Sequence, residues 1–169
     1  MKKNDAMFNL GSDPVGVSAA PDDEGAVFDL TNAEAPAFEA IPKGTYPAII
    51  EELEYTTSQS SGNAMIKVVY MITEGEFAER KVYDFLMLAG DGAKFALPRL
   101  KQMLIRVCPE VDISSFNARR FAESGASINR PCQIKLKITT AKNGEYKGEK
   151  RNQVAEVLSA EGIGGSFLG

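Results

Sequence analysis

The sequence contains no histidine and no tryptophan, and it has only two cysteines, Cys108 and Cys132. Without histidine the chain lacks the commonest general base and the imidazole ligand of most zinc sites. The cysteines do not form a CxxC pair, and we interpret both as small buried apolar residues without a disulfide. No metal or other cofactor is therefore expected.

Catalytic motifs are also lacking. The chain has no G-x-S-x-G elbow, no P-loop and no HExxH helix, each of which would indicate a defined chemistry. Strict alternation along a strand places the neighbouring acids Glu51 and Glu52 on opposite faces, so they are not predicted to form an acid/base pair. The sequence predicts a protein that binds rather than an enzyme.

Long apolar runs are absent, since none approaches the roughly 18 residues that a membrane-spanning helix needs. Two lysines follow the first methionine, but no apolar stretch comes after them. A secretory signal is therefore not predicted, and we expect a cytosolic protein.

The formal charge of −4 is unevenly distributed along the chain. Residues 1–55 carry eleven Asp or Glu and three Lys, whereas residues 56–169 carry twelve Asp or Glu and sixteen Lys or Arg. Within the second part, residues 130–151 hold seven basic and two acidic residues. This asymmetry indicates an acidic segment attached to a body that binds a polyanion.

Composition divides the chain into three parts. Residues 1–40 are rich in Ala, Pro, Gly and Asp and predict an irregular acidic N-terminal arm. Residues 41–160 predict the folded domain, and residues 161–169 predict a glycine-rich tail.

Period-2 alternation and turn signals predict five strands. Their ranges are 45–56, 64–73, 80–88, 131–140 and 152–160. Between the third and fourth, the spacing of Leu97, Leu100, Leu104 and Val107 predicts a helix that begins near Leu97, because Pro98 suits a first turn. A second short helix is predicted within 112–126, with Ser114 or Ser115 as its cap.

Three strands, a helical connection and two more strands are the order of a five-stranded OB-type Greek-key barrel. The predicted fold is therefore mainly β, although an α+β sandwich or a split sheet would show the same order. The sequence does not determine which face of the third strand meets the core, because one face carries Asp84 and the other carries Lys81.

Such a barrel binds single strands on strands 2 and 3 and on the loops 1–2 and 4–5. Binding requires cations for phosphates and flat side chains for bases. The basic stretch 138–152 would be loop 4–5, and Tyr70 or Tyr55 could add a stacking ring, depending on strand faces. The predicted DNA contacts are Lys67, Lys81, Tyr83, Phe85, Lys135, Lys137, Lys142, Tyr146, Lys147, Lys150 and Arg151.

Two of these predictions have plain structural alternatives. Core packing is the favoured interpretation of Tyr83 and Phe85, and a solvated sheet face explains Lys135 and Lys137 equally well.

Several short motifs resemble a family of phage proteins formerly labelled as of unknown function. They are an IP-x-G-x-Y entry at 41–46, a G-x-x-x-I-x-V-x-Y-x-I-x-x-G strand at 62–75, an R-K-V-x-D-x-L strand at 80–86 and the stretch 144–154. The resemblance spans about residues 28–158.

The resemblance implies a phage OB-fold protein that binds single-stranded DNA during replication or recombination in the host cytoplasm. Its partners would be replication or recombination proteins of the phage or the host, and no association with a membrane is expected. The sequence does not determine the oligomeric state, and a homo-oligomer is possible. The alternative is an OB-like protein-interaction or assembly module of a phage that does not bind DNA.

Overall fold

A computed structural model of the chain describes residues 27, 29–32 and 39–160. The predicted glycine-rich tail and most of the predicted acidic arm lie outside these residues. Residues 39–160 belong to one compact unit. No helix in the described part of the chain is long and apolar enough to cross a membrane.

Five strands form one antiparallel sheet. They are β1 Gly44–Thr57, β2 Ala64–Ile72, β3 Lys81–Met87, β4 Pro131–Thr140 and β5 Lys150–Ser159. Their order in the sheet is β3-β2-β1-β4-β5, with antiparallel pairing throughout. Helices α1 Ala93–Val107 and α2 Ala118–Ser124 lie between β3 and β4 in the chain. The mainly-β class and the helical connection are confirmed.

The central strand β1 holds the sheet together by pairing with two neighbours. Residues 44–49 pair with β4, and residues 48–57 pair with β2. The register shifts between Ile50 and Glu52, where Glu51 is the additional residue. A bulge of this kind bends the strand and re-aims its side chains.

The core lies between the sheet and α1. The inward face of β2 buries Ile66, Val68, Tyr70 and Ile72, and α1 buries Leu100, Leu104 and Val107 together with Ala96 and Met103. Leu97, which was predicted on the same helical face, is instead 45% exposed.

The predicted start of α1 near Leu97 is wrong, because the helix begins at Ala93 and contains Pro98 in its interior. Carbonyls of the preceding turn support the earlier start: Gly90 O accepts from Ala93 N, and Gly92 O accepts from Ala96 N, both at 3.1 Å. Pro98 lies on the exposed side, where water can satisfy the carbonyl that proline leaves without a partner.

The second short helix predicted within 112–126 is confirmed, but its cap is not the predicted serine. This region contains a short 3₁₀ turn, Ile113–Ser115, followed by α2. Asp112 caps the turn and Asn117 caps α2 through their side-chain oxygens. Ser114 and Ser115 are not caps, since their hydroxyls donate to Asp112.

The inward face of β3 consists of Val82, Asp84 and Leu86. Arg99 of α1 compensates the burial of Asp84, because its Nη2 lies 2.5 Å from Asp84 Oδ2 and also donates to the Val154 carbonyl of β5 at 2.8 Å. Cα atoms of the edge strands β3 and β5 lie within 8 Å of one another, although the two strands are not neighbours in the sheet. Arg99 therefore links the two edges of an open sheet.

Candidate nucleic-acid interface

The outward face of β2 and β3 carries two exposed aromatic rings beside two lysines. Tyr83 and Phe85 are each 52% exposed, and Phe85 lies directly opposite Lys67 in the strand register. The core-packing interpretation of both rings is wrong, because Asp84 between them turns inward to Arg99. We call Lys67, Lys81, Tyr83 and Phe85 the sheet-face cluster.

Both lysines of the sheet-face cluster are bound to glutamates of β1. Lys81 Nζ lies 2.7 Å from Glu51, and Lys67 Nζ lies 3.3 Å from Glu52 and 3.6 Å from Glu54. Hydrogen bonding to Glu52 and Glu51 raises the pKa of Lys67 and of Lys81, respectively. The carboxylates largely neutralise this face.

The glutamates of β1 are the residues that sequence reasoning missed. Alternation places Glu51 and Glu52 on opposite faces, yet both bind lysines of one face. The bulge after Ile50 explains the difference, since one additional residue breaks the period of two. No glycine or proline at this position signals the bulge in the sequence.

The hairpin between β4 and β5 presents a second group of predicted residues. Its base is closed by two backbone hydrogen bonds, Ala141 N to Glu149 O at 2.9 Å and Gly148 N to Ala141 O at 2.8 Å. Gly148 has a φ of 93°, a conformation that residues with a Cβ rarely adopt. The tip is therefore a defined turn that projects its lysines into solvent.

Cations continue from the hairpin along β4. Lys135 and Lys137 are exposed on alternate positions, and Arg151 extends their row because it lies opposite Thr139, the next residue on that face. Lys150, opposite Thr140, belongs to the other face. We call the group without Lys150 the cationic strip; its members are Lys135, Lys137, Lys142, Lys147 and Arg151.

No carboxylate of the described residues forms an ion pair with a member of the cationic strip. Tyr146 at the hairpin tip is 49% exposed, and the Arg151 guanidinium lies 5.0 Å from its ring centroid. This cation–π contact already covers part of the surface that a base would use.

The other two tyrosines considered for stacking are less exposed than Tyr146. Tyr70 is fully buried, its hydroxyl donates to Met103 Sδ at 3.5 Å, and burial raises its pKa well above the usual value. Its interpretation as a stacking ring is wrong. Tyr55 is half-buried, with the Arg119 guanidinium 4.5 Å from its ring centroid.

Both cysteines are buried free thiols, as predicted. Burial raises the pKa of Cys132 to about 12 and also raises the pKa of Cys108. Thiols of this kind are protonated at neutral pH and are therefore poor nucleophiles and metal ligands.

The family model described as "Protein of unknown function (DUF669)" matches residues 27–155. The match includes β1 to β4, both helices, the hairpin and the first six residues of β5. No curated protein matches the chain. Because the model covers most of the sequence, this chain belongs to the DUF669 family.

Proposed function

We propose that this domain binds single-stranded DNA without sequence preference and without catalysing a reaction, in phage DNA replication or recombination. The order β3-β2-β1-β4-β5 is the strand order of an OB barrel opened between its third and fifth strands, and such barrels bind oligonucleotides on strands 2 and 3 and on loop 4–5. The sheet-face cluster and the hairpin occupy these two positions.

The exposure of Tyr83 and Phe85 is the observation that carries the proposal. Two residues apart on one strand face, the rings lie roughly 7 Å apart along the strand, so they can receive neighbouring bases of an extended strand. Each base stacked on an aromatic ring contributes about 1–3 kcal/mol. Exposing two large aromatic rings to water is unfavourable in free energy, and a ligand that stacks on them would remove this unfavourable exposure.

The two groups of residues have different tasks in this proposal. The lysines of the sheet-face cluster are neutralised by glutamates, so this face suits uncharged bases. The cationic strip has no such partners among the described residues and suits phosphates. Neither stacking nor phosphate contacts read base edges, which explains tolerance of sequence.

The experiment is fluorescence anisotropy of a labelled oligo-dT of a few tens of bases, titrated with the full chain at several salt concentrations. We expect binding that weakens as salt rises, because each phosphate contact releases counterions. A duplex of equal length should bind more weakly, since its bases are already stacked on one another.

Absence of oligo-dT binding at low salt, or a preference for the duplex, would contradict the proposal. The protein-interaction alternative would then be favoured, since exposed rings beside the carboxylates of Glu51, Glu52 and Glu54 also suit a basic peptide.

A further inference from the structure

Helix α1 also carries a depression on its exposed side, opposite the face that is buried in the core. Five side chains line this depression of about 330 Å³: Pro98, Lys101, Gln102, Ile105 and Arg106. Their spacing, i, i+3, i+4, i+7 and i+8, places them on one face of the helix. We call this surface the α1 groove.

Apolar side chains are exposed in and beside the α1 groove. Ile105 is 49% exposed within it, and Phe95 and Leu97 near the start of the helix are 69% and 45% exposed. A helix packed on one side normally presents polar residues to solvent on the other. An exposed apolar residue that lines a depression, as Ile105 does, is typical of an interaction site.

The charge of α1 has one sign only, since the helix contains Lys94, Arg99, Lys101 and Arg106 but no Asp or Glu. Arg99 is neutralised by Asp84, and Arg106 lies 3.5 Å from Glu156. Neither Lys94 nor Lys101 has an ion-pair partner within the described part of the chain. The α1 groove is therefore apolar at its centre and cationic at its margin.

We propose that the α1 groove docks an acidic segment of a partner protein that carries apolar side chains between its carboxylates. An apolar side chain would cover Pro98 and Ile105, and neighbouring carboxylates would pair with Lys101 and the exposed part of Arg106. A nucleic acid fits this surface less well, because aliphatic side chains at the centre offer no flat ring on which a base can stack.

The α1 groove is separate from the sheet-face cluster. Helix α1 reaches β3 through Asp84, which lies on the inward face, whereas Tyr83 and Phe85 point outward from the same strand. The docking proposal therefore does not depend on the sheet-face cluster.

The test uses the full chain and a fluorescein-labelled synthetic peptide in which pairs of aspartate alternate with pairs of leucine. Ile105→Asp should weaken binding about tenfold, and Lys101→Glu should weaken it several-fold, because each removes one half of the complementarity. Lys43→Glu, a charge reversal at an exposed residue outside the groove, is the matched control and should bind like the unmodified chain. A peptide with lysine in place of aspartate should not lose affinity in either groove variant.

Unchanged affinity of the aspartate peptide in both groove variants, or an equal loss for the lysine peptide in the same variants, would overturn the proposal. Displacement of the peptide by oligo-dT, with weaker oligo-dT binding in Lys101→Glu, would also overturn it and would make the groove a nucleic-acid surface. Thermal melts verify folding; if Ile105→Asp unfolds, Lys101→Glu decides, since that side chain is exposed.

Discussion

Lysines on the outward face of β2 and β3 lie within 3.6 Å of carboxylates, whereas the cations of the hairpin and β4 have no ion pair among the described residues. The aromatic rings differ in their neighbours rather than in exposure. Tyr83 and Phe85 of the sheet face are each 52% exposed and Tyr146 of the hairpin is 49% exposed, but the Arg151 guanidinium lies 5.0 Å from the Tyr146 ring centroid.

This contrast shows that residue type alone does not define a nucleic-acid contact. Lys67 and Lys147 are equally basic in the sequence, but the pKa of Lys67 is raised by Glu52 and its charge is already compensated. In the account proposed here, the sheet face supplies stacking and the cationic strip supplies phosphate neutralisation.

The largest effect on DNA affinity is expected from Tyr83→Ala combined with Phe85→Ala. Loss of two stacking surfaces should weaken oligo-dT binding by about 2–6 kcal/mol and leave its salt dependence unchanged, because no charge is removed. Anisotropy titrations at several salt concentrations measure both quantities.

Phe95→Ala is the matched control, since Phe95 is an equally large exposed ring on α1. It should not change oligo-dT affinity. Equal losses in the control and in the double variant would mean that the effect is not specific to the sheet face.

The next effect concerns the link that fixes which face of β3 is exposed. Arg99→Ala leaves Asp84 buried without its partner and should lower the free energy of unfolding by about 3 kcal/mol. Urea unfolding measures this loss. Arg106→Ala, which removes a more exposed pair with Glu156, should cost only about 1 kcal/mol.

The ion pair between Asp84 and Arg99 also predicts that the free energy of unfolding depends on pH. Burial raises the pKa of Asp84 although Arg99 opposes the shift, so the folded state holds this proton more tightly than the unfolded state. The free energy of unfolding contributed by Asp84 therefore falls as the pH rises from the unfolded pKa through the folded one. Arg99→Ala should steepen that fall, and an unchanged pH profile would contradict the assignment of Arg99 as the compensating charge.

Neutralising two lysines should have different consequences in the two regions. Lys142→Gln with Lys147→Gln should reduce the slope of log K against log salt by about 1.4, because each lost phosphate contact removes about 0.7 on a single strand. Lys67→Gln with Lys81→Gln should change the slope little, since glutamates already compensate these lysines. Equal slope changes in both pairs would contradict the proposed difference between the cationic strip and the sheet-face cluster.

Removing the carboxylates should convert the sheet face into a cationic one. The triple change Glu51→Gln, Glu52→Gln and Glu54→Gln releases both lysines and should strengthen oligo-dT binding up to about tenfold at low salt, with a steeper salt slope.

Its matched control substitutes three exposed glutamates of the turn between β2 and β3, Glu74, Glu76 and Glu79, by glutamine. The net charge changes equally, so any gain in the control measures long-range attraction alone. A gain equal to that of the β1 triple would contradict a local role for the β1 carboxylates.

The smallest effect is expected from Tyr146→Ala, because Arg151 already occupies part of the ring surface. We expect a loss of about 1 kcal/mol in oligo-dT affinity, with Tyr146→Phe unchanged. A loss as large as that of the Tyr83 and Phe85 double variant would shift the stacking site to the hairpin.

Local patterns predicted the parts of the fold that depend on neighbouring residues. The alternation over 131–140 gives β4 with the bounds that the structure shows, and the turn residues around Gly144 and Gly148 predict the hairpin. The cations of the hairpin could be identified for the same reason, since they lie together in the sequence.

Features that depend on distant residues were not predictable. The inward orientation of Asp84 requires Arg99 from the following helix, and the compensation of Lys67 requires glutamates from another strand brought into line by a bulge. The helical turn before Pro98 depends on carbonyls of Gly90 and Gly92, and such tertiary and capping contacts override helix propensity.

Ultraviolet cross-linking of the full chain to oligo-dT, followed by mass spectrometry of the cross-linked peptides, tests the division between the two regions most directly. Stacked bases cross-link to the rings that they contact, so the account predicts cross-links at Tyr83 and Phe85 of the sheet face, which disappear when excess unlabelled oligo-dT competes. Cross-links confined to Tyr146 of the hairpin, or none above a duplex control, would contradict it.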